Sequence, residues 1–316
     1  MNKVLGHDEV RTAFGEAMHH KRLHHAWLLY GVKGIGKAAL AEQLTALYLC
    51  ESPSLQDFQA CGQCHPCAML HAGSHPDVSK VELLYNKKKK KMNRDINIEQ
   101  TREALGFLAL SGLKSTRRVL MIDDANLMNN QAANALLKGL EEPTEGSLLL
   151  IVCHDLMRLP ATIRSRCMLQ VCSPLNEDNM QHVLHSQNLD ERLMQLAMSL
   201  GQGSPGRVAA LLNKQHAQAL LEWQDLLIDL EHSDIGLVQK WLDKHVKDIP
   251  HDLIANMVLN ATHDVMLNAQ AWQTSSQIYS ALLAVGSWPK EVVRAYFAPC
   301  ACPDVIHFTI TKCLEK

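Results

Sequence analysis

Ala26-Trp27-Leu28-Leu29-Tyr30-Gly31-Val32-Lys33-Gly34-Ile35-Gly36-Lys37-Ala38 is the stretch that decides the fold. Five apolar residues run straight into a glycine-rich turn, and the turn opens on an apolar-periodic segment, Ala38 to Cys50. A buried strand, a tight loop and a helix in that order form the setting of a phosphate loop. Glycines let backbone N–H groups turn inward around phosphates, the lysine reaches the terminal ones, and the helix N-terminus adds partial positive charge. The candidate nucleotide-binding residues are therefore Gly31, Gly34, Gly36 and Lys37.

Working outward, Val119 to Ile122 and Leu148 to Cys153 read as further buried strands, with a helix over Asn129 to Leu140 between them. Ala132, Ala133, Leu136, Leu137 and Leu140 share one face of that helix, and Pro143 stops it. Strands alternating with helices predict a parallel α/β sheet. From about Leu175 onward the pattern is helical, with Gly203-Ser204-Pro205-Gly206 expected as a loop inside it. The expectation is a chain of three parts: an α/β domain over 1–170, a small helical domain over 171–212 and a helical C-terminal domain over 213–316.

The phosphate pattern departs from its full form at two places. Ala38 stands where a Ser or Thr hydroxyl would hold Mg²⁺. At the end of the second strand, Asp123-Asp124 offers one acid near Mg²⁺ and a second that would orient an attacking water. Asp124 is a methylene shorter than the Glu usual in that role, and a misplacement of about 1 Å can cost about 10²-fold. Both departures make ATP and Mg²⁺ binding, and hydrolysis by this chain alone, doubtful.

Cys61-x-x-Cys64-x-x-Cys67 packs three thiols into a short span, and Cys50 at the end of the preceding helix can supply a fourth. Four thiolates make a closed, structural Zn²⁺ site with no open catalytic position. His65 and His71 lie close in sequence but are weaker candidates. Cys153, Cys167 and Cys172 read as ordinary buried cysteines, and Cys300, Cys302 and Cys313 as C-terminal packing residues.

The bulk properties narrow the function. The 316 residues are 47% hydrophobic and 20% charged, with a formal net charge of −2. A protein that gripped DNA alone would be more basic. At 5%, the aromatic content argues against base stacking as the main working surface. From residue 213 onward, 8 Lys and Arg face 12 Asp and Glu, a balance of −4 that suits protein partners. The run Lys87 to Lys91 reads first as a solvated loop, with a phosphate- or DNA-facing loop as the sharper reading. No secretory leader is expected at the start, and no run approaches the ~18 apolar residues of a membrane helix, so the expected location is the cytoplasm, where thiols stay reduced.

Ala132 to Pro143, Ser165-Arg166-Cys167, the Gly31 to Lys37 loop and the four-cysteine module together resemble the AAA+ clamp-loader family of the bacterial DNA polymerase III, in order and spacing from about residue 20 to 210. The degraded phosphate site resembles the delta-prime branch. A motor subunit would carry Lys followed by Thr or Ser, and Asp followed by Glu. Cys153 stands where such ATPases carry a phosphate-sensing Thr or Asn, and Gly206 where sensor 2 would place an Arg, with Arg207 one residue later.

The resemblance implies an AAA+ α/β domain with a zinc module, a helical lid and an all-α collar. It also implies partners: gamma/tau and delta subunits in a pentameric ring, with the sliding clamp and primed DNA reached through the complex. Arg166 would then act in trans as a catalytic finger on a neighbour's ATP, with Arg164 its nearest rival. Read from spacing alone, Arg166 would sooner cap a turn or pair with an acid. Two other functions stay open: an active motor-type ATPase, and a zinc-containing nucleic-acid-binding module.

Overall fold

The computed structural model describes residues 4–86, 90–109, 117–185, 189, 191–211, 217–219, 221–222, 225, 240–241 and 244–245. The elements in chain order are α1 (Asp8–His19), β1 (Ala26–Tyr30), α2 (Lys37–Leu49), α3 (His65–His71), β2 (Val78–Val81), β3 (Tyr85–Asn86), β4 (Lys91–Met92), α4 (Ile98–Ala109), β5 (Arg118–Ile122), α5 (Asn130–Glu141), β6 (Ser147–Cys153), α6 (Ala161–Arg164), β7 (Met168–Val171), α7 (Glu177–His185), α8 (Glu191–Gly201) and α9 (Pro205–Leu211). Contacts divide the chain into two units. One holds 1–186 with 203–206, and the other holds 187–202 with 207–316.

In the first unit five strands form one sheet in the order β2-β5-β6-β1-β7, and every pairing is parallel. The three strands read from sequence, β1, β5 and β6, are its centre. They are apolar at almost every position because helices cover both faces, which is how parallel sheets survive in water. Alternate residues then go to opposite sides. Leu28, Leu120, Ile122, Leu149 and Ile151 join one core with Ala104 and Leu108 of α4 and Ala133, Leu136 and Leu140 of α5. Trp27, Leu29, Val119, Met121, Leu148, Leu150 and Val152 join the other, with Val10 and Phe14 of α1 and Leu40, Leu44 and Leu47 of α2.

Two strands are added to those read from sequence, and two expectations are adjusted. The short strands β2 and β7 have no strong apolar run: Val78-Ser79-Lys80-Val81 is mostly half-covered, and β7 leaves Met168, Leu169 and Val171 exposed. They are strands because they pair with β5 and β1, not because of their own pattern. On α5, Ala132, Ala133, Leu136 and Leu140 are buried, while Leu137 is only half-buried against the same core. Asn129 caps this helix by accepting from the Ala132 N–H at 2.9 Å. The supposed loop Gly203–Gly206 is a loop only to Ser204, since Pro205 takes the first position of α9, where its missing N–H costs nothing.

The second unit carries α8 and most of α9. Trp241 donates from its indole N–H to the Ala219 carbonyl at 3.1 Å, and Glu222 accepts from Lys244 and His245 at 3.1 Å each. The expected packing of Cys300, Cys302 and Cys313 lies outside the described residues. No helix among the described residues is long and apolar enough to cross a membrane.

Ile151→Ala, in the middle of β6, is expected to lower the unfolding free energy by about 2–5 kcal/mol. Met157→Ala, at an exposed site, should change it by less than about 0.5 kcal/mol. Urea unfolding followed by circular dichroism distinguishes the two, and equal losses would contradict the two-faced core.

Candidate functional site

Parallel pairing brings the C-terminal ends of β1, β6 and β5 side by side, and the chain's polar signature residues collect there. Gly31 follows β1, and its N–H donates to the Cys153 carbonyl at the end of β6 (3.3 Å). No side chain fits at Gly31, because a Cβ would stand 2.1 Å from the Cys172 carbonyl oxygen. Gly34 and Gly36 take left-handed φ values of 84° and 94°, which turns the loop back towards the start of α2.

Lys37 does not project from this loop. It is 2% exposed, and its ammonium donates to the Gly31 and Val32 carbonyls at 2.7 and 2.6 Å. Burial pushes its pKa down, and the nearby Cys172, Asp124, Cys153 and Asp123 oppose that shift. The loop thus folds around its own lysine. It is also covered from outside. Ser204 donates its hydroxyl to the Lys33 carbonyl at 2.9 Å, and the Gly206 N–H donates to the Gly34 carbonyl at 2.8 Å. Gly206 approaches so closely that a Cβ there would lie 2.7 Å from the Gly34 Cα.

Asp123 and Asp124 follow β5. Asp124 is committed on both oxygens: Oδ1 accepts from the Asn126 N–H at 2.9 Å, and Oδ2 sits 3.2 Å from His154 Nε2. Burial holds His154 below the ordinary histidine range, helped by Lys37 and opposed by Asp124. Asn126 ties the two strand ends together. Its Oδ1 accepts from the His154 and Asp155 N–H groups at 2.7 and 2.9 Å and from the Cys153 thiol at 3.4 Å. Its amide donates to the Asp155 carbonyl at 2.7 Å. Burial raises the Cys153 pKa to about 11, so this position offers a neutral thiol. Asn126, His154 and Ser204 were not singled out from sequence. The available signal was the place of His154 and Asn126 one and four residues beyond strand ends, and of Ser204 within the Gly203–Gly206 segment.

Arg166 lies between α6 and β7. Its guanidinium donates to Glu141 Oε1 at 2.8 Å and to the Thr162 carbonyl at 3.0 Å, with the side chain 37% exposed. Arg164 donates towards the Met157 sulfur at 3.6 Å. Cys167 is half-buried rather than buried, and desolvation raises its pKa to about 12.

The four cysteines do converge. The sulfurs of Cys50, Cys61, Cys64 and Cys67 all lie within 4.8 Å of one another, and Cys50 and Cys64 are 3.9 Å apart. A tetrahedral ion with bonds of about 2.3 Å needs sulfurs roughly 3.8 Å apart, so the set could hold one metal ion. Neither His65 nor His71 belongs to the group. Backbone N–H groups already point at the sulfurs: Cys61 to Cys50 at 3.2 Å, and Gln63 and Cys64 to Cys61 at 3.5 and 3.3 Å. Those donors lower the Cys61 pKa to about 6, while burial raises those of Cys50 and Cys67.

A family model described as DNA polymerase III, delta subunit, matches residues 6–176. The DNA polymerase III subunit delta' of Escherichia coli is 31% identical over 235 residues, covering 70% of this chain and 68% of that protein. The chain belongs to the delta-prime family of DNA polymerase III clamp-loader subunits. The delta' subunit of Pseudomonas aeruginosa is 43% identical over 148 residues, which is 47% of this chain and less than half (43%) of that relative. A solved gamma subunit-related protein of Thermotoga maritima superposes with a TM-score of 0.46 at 16% identity, covering 92% of this chain and 98% of that one. The family match and these two relatives bear out the delta-prime reading of the sequence.

Gly206→Ala is expected to destabilise the phosphate-loop region by about 1–3 kcal/mol, since the new methyl overlaps Gly34. Lowered thermal stability, with faster hydrogen exchange confined to residues 31–37 and 203–206, would confirm the close contact. Wild-type behaviour would contradict it.

Proposed function

We propose that this chain serves a clamp loader as a scaffold that lends an arginine, and not as a nucleotide-hydrolysing motor. The observation that carries the reading is the closed phosphate loop. A phosphate bound there would have to draw Lys37 away from two carbonyls, while Ser204 and Gly206 hold the loop from its outer side through the Lys33 and Gly34 carbonyls. Ala38 offers no hydroxyl for Mg²⁺, and Asp124 is held by Asn126 and His154. An active motor-type ATPase is disfavoured by each of these. Gly31, Gly34, Gly36, Lys37, Asp123 and Asp124 are on this reading a retained framework. It joins strand ends and sets the angle at which neighbouring elements are presented.

Arg166 is the group proposed to act elsewhere. Its partner Glu141 is 49% exposed, and such an ion pair is worth no more than about 1 kcal/mol. The pair orients the guanidinium without locking it, so a neighbour's phosphates can compete for it. A planar, permanently charged fork suits the charge spread over a phosphoryl group in transfer. The partners on this reading are gamma/tau and delta subunits in a pentameric ring. The sliding clamp and primed DNA would be met through that ring. The division into 1–170, 171–212 and 213–316, with the last part as collar, belongs to the same proposal.

The cysteine module would hold Zn²⁺ in a closed site. Zinc bound there would tie the end of α2 to the start of α3, a folding role rather than a catalytic one. Purified protein is expected to carry about one zinc per chain. Binding should weaken as pH falls, because the ligands must be thiolates. Cys64→Ala should lose the metal and lower the melting temperature. Metal analysis and calorimetry give the answer, and a metal-free variant of unchanged stability would refute the folding role.

The deciding experiment is a ring reconstituted with gamma/tau, delta, clamp and primed DNA. Arg166→Ala is expected to slow ATP turnover at the adjacent site by about 10³-fold while assembly stays intact. Arg166→Lys should not rescue it, because an ammonium lacks the fork. Glu141→Gln should leave turnover near wild type. If Arg166→Ala and Glu141→Gln behave alike, the arginine is structural.

A further inference from the structure

Between β2 and α4 the chain leaves the main sheet and forms a separate antiparallel ribbon, β3–β4, pairing Tyr85 with Met92 and Asn86 with Lys91. The Asn93 N–H closes its base on the Leu84 carbonyl at 2.9 Å. A two-stranded hairpin has no core of its own and is marginal in water. This one nonetheless carries apolar side chains that the two sheet cores do not take up: Leu84, Tyr85 and Met92 are 51%, 56% and 50% exposed. Tyr85 and Met92 are directly opposed across the ribbon, so they share one face.

The same ribbon concentrates charge. From residue 82 to 95, Lys87 to Lys91 and Arg94 stand against Glu82 and Asp95, which leaves +4. The whole chain is −2, so the remainder carries −6. Lys90, Lys91 and Arg94 are all exposed, and among the described residues no ion pair engages them. Lys90 takes a left-handed φ of 49° next to β4. Lys87 to Lys89 lie outside the described residues; like charges this close along the chain repel one another, and a polyanion relieves that repulsion.

We propose that the β3–β4 hairpin binds single-stranded DNA. Phosphates would lie along Lys90, Lys91 and Arg94, and an unpaired base would stack on Tyr85 beside Met92. The exposed aromatic ring favours a single strand. A duplex hides its base faces, so it could use the charges but not the ring. An acidic protein would use the charges equally well, but gives no reason for an exposed aromatic ring on the same ribbon.

The test is fluorescence anisotropy of the full chain with a labelled oligodeoxythymidine of about 20 nucleotides, and with a duplex of equal length, over a salt series. Wild type is expected to prefer the single strand. Tyr85→Ala should weaken single-strand binding by about 5- to 150-fold and leave duplex binding unchanged. Lys90→Gln/Lys91→Gln should reduce the salt slope by about 1.4, at about 0.7 per lost phosphate contact. Circular dichroism and assembly with gamma/tau and delta, measured on the same variants, show whether the fold and the ring surfaces survive. Absence of salt-sensitive binding by wild type overturns the inference. So does a variant pair that binds DNA like wild type, or one that keeps DNA binding but loses a protein partner. A chain that binds the oligonucleotide as expected yet fails to join the ring would instead sink the loading role and leave this inference standing.

Discussion

The parallel pairing of β1 with β6, and of β6 with β5, is the constraint on which everything else rests. Parallel strands run in one direction, so their C-terminal ends arrive together. That places Gly31 beside Cys153, and Asp124 beside His154, although the two partners of each pair are far apart in sequence. The pairing is possible only because both faces of the sheet are covered. The strands' continuous apolar character is a consequence of that double burial.

The architecture of a nucleotide site is therefore present, but its polar groups bond to one another. Lys37 satisfies loop carbonyls, Asp124 caps a turn and holds His154, and Asn126 joins two strand ends. Buried polar groups must be paired, and here they find those partners within the chain. Set against this, Arg166 is left partly exposed, paired with a half-exposed Glu141 and the Thr162 carbonyl. The proposed supporting role rests on this contrast between a loop bonded to itself and a partly exposed Arg166.

Two insertions are attached to this frame, and each solves a small-size problem differently. The cysteine module is too short to bury an apolar core, and it gathers four sulfurs with N–H donors already aimed at them. Among its described residues the β3–β4 hairpin has neither a metal cluster nor a buried face. Its apolar and cationic side chains are left outward.

Sequence by itself determined the strand-loop-helix at Gly31 to Lys37, the three central strands to within one residue, the four-cysteine set and the family. Each rests on local chemistry: glycine spacing, uninterrupted apolar runs, and repeated C-x-x-C. It did not reveal β2 and β7, whose strand character comes from their neighbours. It did not reveal which residues of each buried strand face α1 and α2 and which face α4 and α5, because a run apolar on both sides has no visible alternation. The inward turn of Lys37, the His154–Asp124 contact and the covering of Gly34 by Gly206 were decided only by tertiary structure. Each joins groups brought together by the sheet or by a later turn, and no spacing along the chain encodes that meeting.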